Sequence, residues 1–117
     1  MKLYAYRAEI GSYGRGFTLT VCEVTETPKM YKLVYGCQSS VFRSQFAKSG
    51  MDEVMPEVAN YTYAYYTLTR DDEGVMEKIR EYITNDINEE IDRINQKIEK
   101  VNTLSCSDMT IRGVKND

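Results

Sequence analysis

The sequence predicts an α+β fold: an N-terminal antiparallel sheet of about four strands, one long C-terminal helix, and a short polar tail able to dock as a strand. Three observations carry that expectation. Segments within residues 1–70 alternate apolar and polar side chains with the period of two that a half-buried strand requires. Residues 71–103 read as one unbroken helix. Within it Ile87, Ile91, Ile94 and Ile98, continued by Val101, recur at spacings of four and three, which places them on one helix face. The 117 residues suit a single domain with a modest core, divided into a sheet region over 1–70, an oligomerising helix over 71–104 and a tail over 105–117.

The first strand is expected over Lys2–Ile10, where Leu3 and Ala5 alternate with Tyr4 and Tyr6. A glycine-rich turn with Gly11, Gly14 and Gly16 follows, read as a hairpin that needs positive φ. Phe17–Thr27 alternates Phe17, Leu19 and Val21 with Thr18, Thr20 and Cys22, a second strand. Pro28-Lys29 makes a turn, and Met30–Tyr35 gives a third strand ending at Gly36. Val41–Lys48 suits either a short helix or an edge strand. Ser49–Pro56 reads as loop, because Pro56 interrupts a hydrogen-bonded ladder. Tyr61–Leu68 returns to strand character, with Tyr61, Tyr63 and Tyr65 on one face and Ala64, Tyr66 and Leu68 on the other.

Thr69 is positioned to cap the helix, and Asp71, Asp72 and Glu73 crowd its first turn, where the helix dipole favours negative charge. Met76, Ile79 and Ile83 are spaced to face the sheet. From Ile87 the pattern becomes a heptad, with Ile91 and Ile98 at one core position and Ile87, Ile94 and Val101 at the other. A helix of this length measures roughly 50 Å, against roughly 35 Å for a compact domain of this size. The stripe is therefore expected to leave its own globule and pack against other copies. Isoleucine at both core positions favours trimers or tetramers in parallel coils, while the short repeat also suits an antiparallel two-helix contact.

Apolar residues make up 42% of the chain and charged residues 28%, ordinary values for a folded protein. The net charge of −3 argues against a protein that coats a nucleic-acid polymer by neutralising phosphates. No apolar run approaches the length of a membrane span, and no leader-like segment opens the chain, so a cytoplasmic protein is expected. Cys22, Cys37 and Cys106 are too widely spaced for a zinc knuckle or redox pair and read as reduced thiols. Histidine is absent altogether, which excludes a Ser-His-Asp triad, a Cys-His dyad and His-ligated metal. No enzyme activity, metal or cofactor is expected.

Several groupings suit ligand binding. Arg15 sits in the turn Gly11-Ser-Tyr-Gly-Arg-Gly16, whose amides can form an anion nest; a simple hairpin turn accounts for the same residues. Asp71, Asp72 and Glu73 read as capping residues rather than a cation site. Asn88, Asn95 and Asn102 recur every seven residues beside the isoleucine seam, where they either fix register, line a polar pocket or face solvent. Tyr82 stands where the helix is expected to leave the sheet and is placed to stack on a nucleobase, although tyrosines usually pack at core and rim. Thr110 and Arg112 form a polar pair in the tail.

A strand-rich start, the turn Val-Thr-Glu-Thr-Pro-Lys-Met-Tyr-Lys (Val24–Lys32) and Leu-Thr-Arg-Asp-Asp (Leu68–Asp72) opening a long helix together resemble short phage-encoded accessory proteins. Within that group the layout is similar to the Thoeris anti-defence proteins of the first type. The resemblance is architectural and covers most of the chain. It implies a homo-oligomeric, non-catalytic sponge, which holds cyclic ADP-ribose isomers between subunits without cleaving them and in some members also holds cyclic oligonucleotides. Arg15, Tyr82, Asn95, Thr110 and Arg112 are then the candidate ligand-binding residues, and Ile87, Ile91, Ile94, Ile98 and Val101 the oligomer interface. The alternative expectation is a phage inhibitor that binds a host defence protein directly, in the manner of an anti-CRISPR.

Overall fold

In the computed structural model of the chain, residues 1–34, 43–57 and 61–114 are described. Six strands form one antiparallel sheet: β1 (Lys2–Ile10), β2 (Arg15–Glu26), β3 (Met30–Leu33), β4 (Gln45–Ala47), β5 (Val54–Pro56) and β6 (Thr62–Thr67), in the order β4-β3-β2-β1-β6-β5. A single helix, α1 (Asp72–Thr103), follows, and a short 3₁₀ turn at Cys106–Asp108 begins the tail. The chain divides into two compact units, Met1–Tyr82 and Ile83–Asp117.

The α+β class is as expected, but the sheet has six strands rather than four. Gln45–Ala47 takes the edge-strand alternative, pairing with β3 through Tyr31 opposite Phe46. The expected loop over Ser49–Pro56 contains β5. Pro56 is tolerated because β5 is an outer strand. The Glu57 N–H donates to the Thr62 carbonyl, so the preceding Pro56 falls where the ring nitrogen faces away from β6. Cys37 and the expected ends of two segments, Tyr35 and Val41, lie outside the described residues.

β1 is buried on both faces, because it lies between β2 and β6 in the middle of the sheet. Leu3 and Ala5 point into a core shared with Cys22, Val24, Tyr31, Phe46, Ala64 and Tyr66, against which Leu33, Met51 and Met55 pack. Tyr6 points to the opposite face, where the start of α1 docks. The Tyr6 hydroxyl donates to the Asp72 carboxylate at 2.6 Å and accepts from the Asp71 N–H at 3.1 Å. Two more tyrosines of that face meet the helix: Lys78 donates to the Tyr65 hydroxyl at 3.0 Å, and Tyr82 meets Tyr63 edge-on at 6.1 Å between ring centres. Tyrosine suits this face because the ring packs on the sheet while the hydroxyl reaches the helix backbone and its charges.

Asp71, not Thr69, caps the helix. Its carboxylate accepts from the Gly74 N–H at 3.1 Å, and a Cβ at Gly74 would lie 2.1 Å from that same carboxylate. Glycine at this position is what lets the cap fold over the first turn. The inward residues of the first turns are Val75 and Ile79, each 3% exposed, whereas Met76 is exposed and Ile83 only partly covered. Ile79 thus faces inward as expected, and Val75 takes the inward place expected of Met76.

The Arg70 guanidinium and then the Tyr6 hydroxyl hold the Asp72 carboxyl below the usual carboxylate range. A lowered folded pKa contributes stability that is present above the unfolded value and lost as pH falls through the folded one. Tyr6→Phe is therefore expected to lower the urea midpoint at neutral pH, and the difference from the native chain should shrink below about pH 4. An unchanged gap at low pH would exclude the Asp72 contact as its cause.

In the second unit, Ile87, Ile91, Ile94, Ile98 and Val101 are between 48% and 63% exposed, so about half of each side chain is left uncovered by the described residues. The tail carries its own capping box, in which Ser105 and Asp108 each bond the other's backbone. Met109–Arg112 forms no strand, contrary to the expected docking of the tail. A tail with no open sheet edge within its own unit has no backbone partner for strand pairing.

Candidate functional site

An arginine on the core face of a central strand is the first sign of a site. Along β1 the inward positions read Leu3, Ala5 and then Arg7, a charge where the period-two pattern demands an apolar residue. It is accommodated because its neighbours are small. Arg7 lies opposite Thr18 on β2 and Ala64 on β6. Across Ala64 and Thr62 its guanidinium reaches the carboxylate that follows β5, donating Nε to Glu57 Oε1 at 3.1 Å and Nη2 to Oε2 at 3.0 Å. Both side chains are mostly covered, at 24% and 20% exposure, and the bidentate geometry fixes both partners.

Beside this pair lies a cleft of about 210 Å³ lined by Ala5, Arg7, Glu9, Thr18, Thr20, Glu57 and Tyr66. Tyr66 forms its wall, held from behind by Phe46 at 4.9 Å between ring centres. The Arg43 guanidinium stands over the Tyr66 ring, 5.7 Å from its centre, while the arginine itself is exposed. Burial pushes the Tyr66 phenol above its usual range, so it presents a neutral hydroxyl near neutral pH. The cleft thus combines a fixed ion pair, two threonines and the buried Tyr66, with the exposed Arg43 packed on the Tyr66 ring but outside the lining. Its volume is below that of typical small-molecule sites, so it suits one phosphate or one heterocycle rather than a whole dinucleotide.

The residues expected from the sequence are placed differently. Arg15 opens β2 at the exposed hairpin tip, opposite Ile10. Neither Gly11, Gly14 nor Gly16 adopts positive φ, and the Gly11 N–H is already bonded to the Gly14 carbonyl at 2.9 Å. The anion nest and the positive-φ hairpin are therefore both corrected: a nest needs a left-handed residue to turn successive amides toward one point. Tyr82 is 37% exposed and its ring is engaged with Tyr63, fastening the helix to the sheet. Asn95, Thr110 and Arg112 belong to the second unit and are exposed.

Arg7, Arg43, Glu57 and Tyr66 were missed. A signal for Arg7 was available, the charged residue continuing the apolar phase of Leu3 and Ala5. For Glu57 and Arg43 there was none, since both follow or precede strands whose pairing is long-range. Among the described residues, no group of three or more His, Cys, Asp or Glu side chains is arranged to hold a metal. Among the described residues, no helix is long and apolar enough to cross a membrane. No known protein family, curated protein or solved structure matches this chain.

Proposed function

We propose that this chain is a non-catalytic binding protein of the phage anti-defence type, which self-associates through its second unit and sequesters a phosphorylated cyclic nucleotide signal in the host cytoplasm. The observation that carries the reading is the cleft beside the Arg7–Glu57 pair, lined by Thr18, Thr20 and Tyr66, with the exposed Arg43 over the Tyr66 ring. A ribose or phosphate meets the threonines and Arg7 at such a site, and a second phosphate meets the exposed guanidinium of Arg43. The cleft takes one such group, and the rest of the ligand extends outside it. The absence of histidine supports binding without turnover.

Calorimetry with cyclic ADP-ribose isomers and cyclic dinucleotides tests the proposal. Arg43→Ala, an exposed change that leaves the core intact, is expected to weaken binding about tenfold by removing one charge-assisted contact. Intact ligand should be recovered after heating the complex. Absence of heat and of any thermal shift with every compound rejects the sequestration reading.

One observation favours direct protein binding as a second reading. Tyr13 at the hairpin tip is fully exposed, and Phe17 and Val21 on the adjoining strand are 40% and 45% exposed. Aromatic residues displayed in this way are common anchors of protein interfaces. Binding to a host protein that survives Arg43→Ala but not Tyr13→Ala would support it over the nucleotide reading.

A further inference from the structure

The exposed stripe of the second unit carries information about orientation as well as association. In heptad terms Ile91 and Ile98 occupy a positions and Ile87, Ile94 and Val101 occupy d positions. The flanking e positions are Asn88, Asn95 and Asn102, and the flanking g positions are Ile83, Glu90, Lys97 and Leu104. Parallel pairing sets each g residue against an e residue of the other helix. That would place Ile83, Glu90 and Lys97 each against an asparagine, with no charge paired and Ile83 facing an amide. Antiparallel pairing sets g against g and e against e.

We infer that two copies of this chain pair through residues 83–104 as an antiparallel helix pair in one register, with Ile91 of each copy opposite Ile94 of the other. That register stacks Ile87 on Ile98 of the second copy as well, giving four isoleucine layers about the two-fold axis. It also places Glu90 against Lys97 of the second copy, twice by symmetry. Ile83 then meets Leu104, which is otherwise 71% exposed, and Asn88 meets Asn95. The four isoleucine layers, the Glu90–Lys97 pairs and the Asn88–Asn95 pairs are complementary in this single alignment, while at each end Val101 meets Thr84 of the second copy. Shifting it by one heptad separates Glu90 from Lys97 and leaves the two ends unpaired. Glu90 already bonds Arg93 within its own helix, and Lys97 has no intrahelical ion pair among the described residues.

This pairing rests on the self-association proposed above but not on the identity of the ligand. Sedimentation velocity of the native chain, Glu90→Lys, Lys97→Glu and the double exchange Glu90→Lys/Lys97→Glu tests it. The native chain should be a dimer. Each single exchange sets two like charges face to face and is expected to weaken the dimer about tenfold, while the double exchange restores it. Lys97→Glu is the cleaner single change, because the Glu90–Arg93 contact persists in it. A native dimer that dissociates more readily as salt rises gives an independent check on the same ion pairs without any substitution. Four proteins of equal affinity, or a dimer insensitive to salt, would overturn the register while leaving self-association standing. A trimer or tetramer would overturn the two-helix pairing. A native chain that stays monomeric at roughly 100 μM would overturn both.

Discussion

Ile94→Asp together with Ile98→Asp is expected to abolish self-association. Each isoleucine is about half exposed on the isolated helix, so packing it against a second copy removes the remaining apolar surface from water. Burial of that half contributes on the order of 1 kcal/mol per side chain, and two chains lose four such contacts. Dissociation should become easier by roughly a thousandfold or more, since about 4 kcal/mol is lost before any cost of burying aspartate. Light scattering and sedimentation measure this directly. Far-UV circular dichroism should also report partial loss of helix, because a helix of about twenty residues without tertiary packing is marginal in water. An unchanged mass would show that the stripe is not the interface. The same variant separates two locations for ligand binding. Retained affinity assigns binding to the Tyr66 cleft, which a single copy forms, and lost affinity assigns it to a site completed by Asn95, Thr110 or Arg112 across copies.

The second large effect lies in the first unit. Phe46 is 1% exposed on a strand of only three residues, and its ring packs on Tyr66. Phe46→Ala should destabilise the fold by about 3–5 kcal/mol through lost burial and the cavity left behind. That is a large fraction of the stability of a domain of this size, and it corresponds to a fall in Tm of about 15–25 °C. Phe46 is the one buried side chain of β4, which is otherwise held by its ladder with β3, so the loss should be felt locally as well. Tyr66 loses its support and Arg43 its platform, so ligand binding should weaken even below the transition. Urea unfolding and calorimetry check the two effects separately. A cost under about 1 kcal/mol would mean that β4 contributes little to the core.

The two long strands and the helix were legible because each is governed by neighbours in sequence. Alternation over Lys2–Ile10 and Phe17–Glu26 marks a strand wherever its partner lies, and the helix is marked by thirty residues of consistent spacing. β3 and β6 were legible too, β4 only as one of two alternatives, and β5 not at all. β4 and β5 have three residues each, too few for a period to register, and they exist because β3 and β6 present open edges to them. Pro56 argued against a strand on local grounds, and edge position removed the objection.

Thr69 and Asp71 are equally good caps by residue type. The choice fell to Asp71 because Tyr6, from a strand sixty-five residues away, accepts the Asp71 N–H and fixes where the helix begins. Local chemistry alone decided that this chain has a sheet and a long helix, and that the helix carries an unpartnered isoleucine face. Tertiary structure decided the candidate site. Arg7 and Glu57 meet only because β6 lies between β1 and β5, with small side chains at Thr62 and Ala64 leaving room for the guanidinium to reach across. Arg43 meets Tyr66 from beside β4, at the other edge of the sheet, where Phe46 packs on the same ring. Periodicity reports which way a side chain points, but a site also needs which strand lies next to which, and that depends on contacts no local pattern encodes.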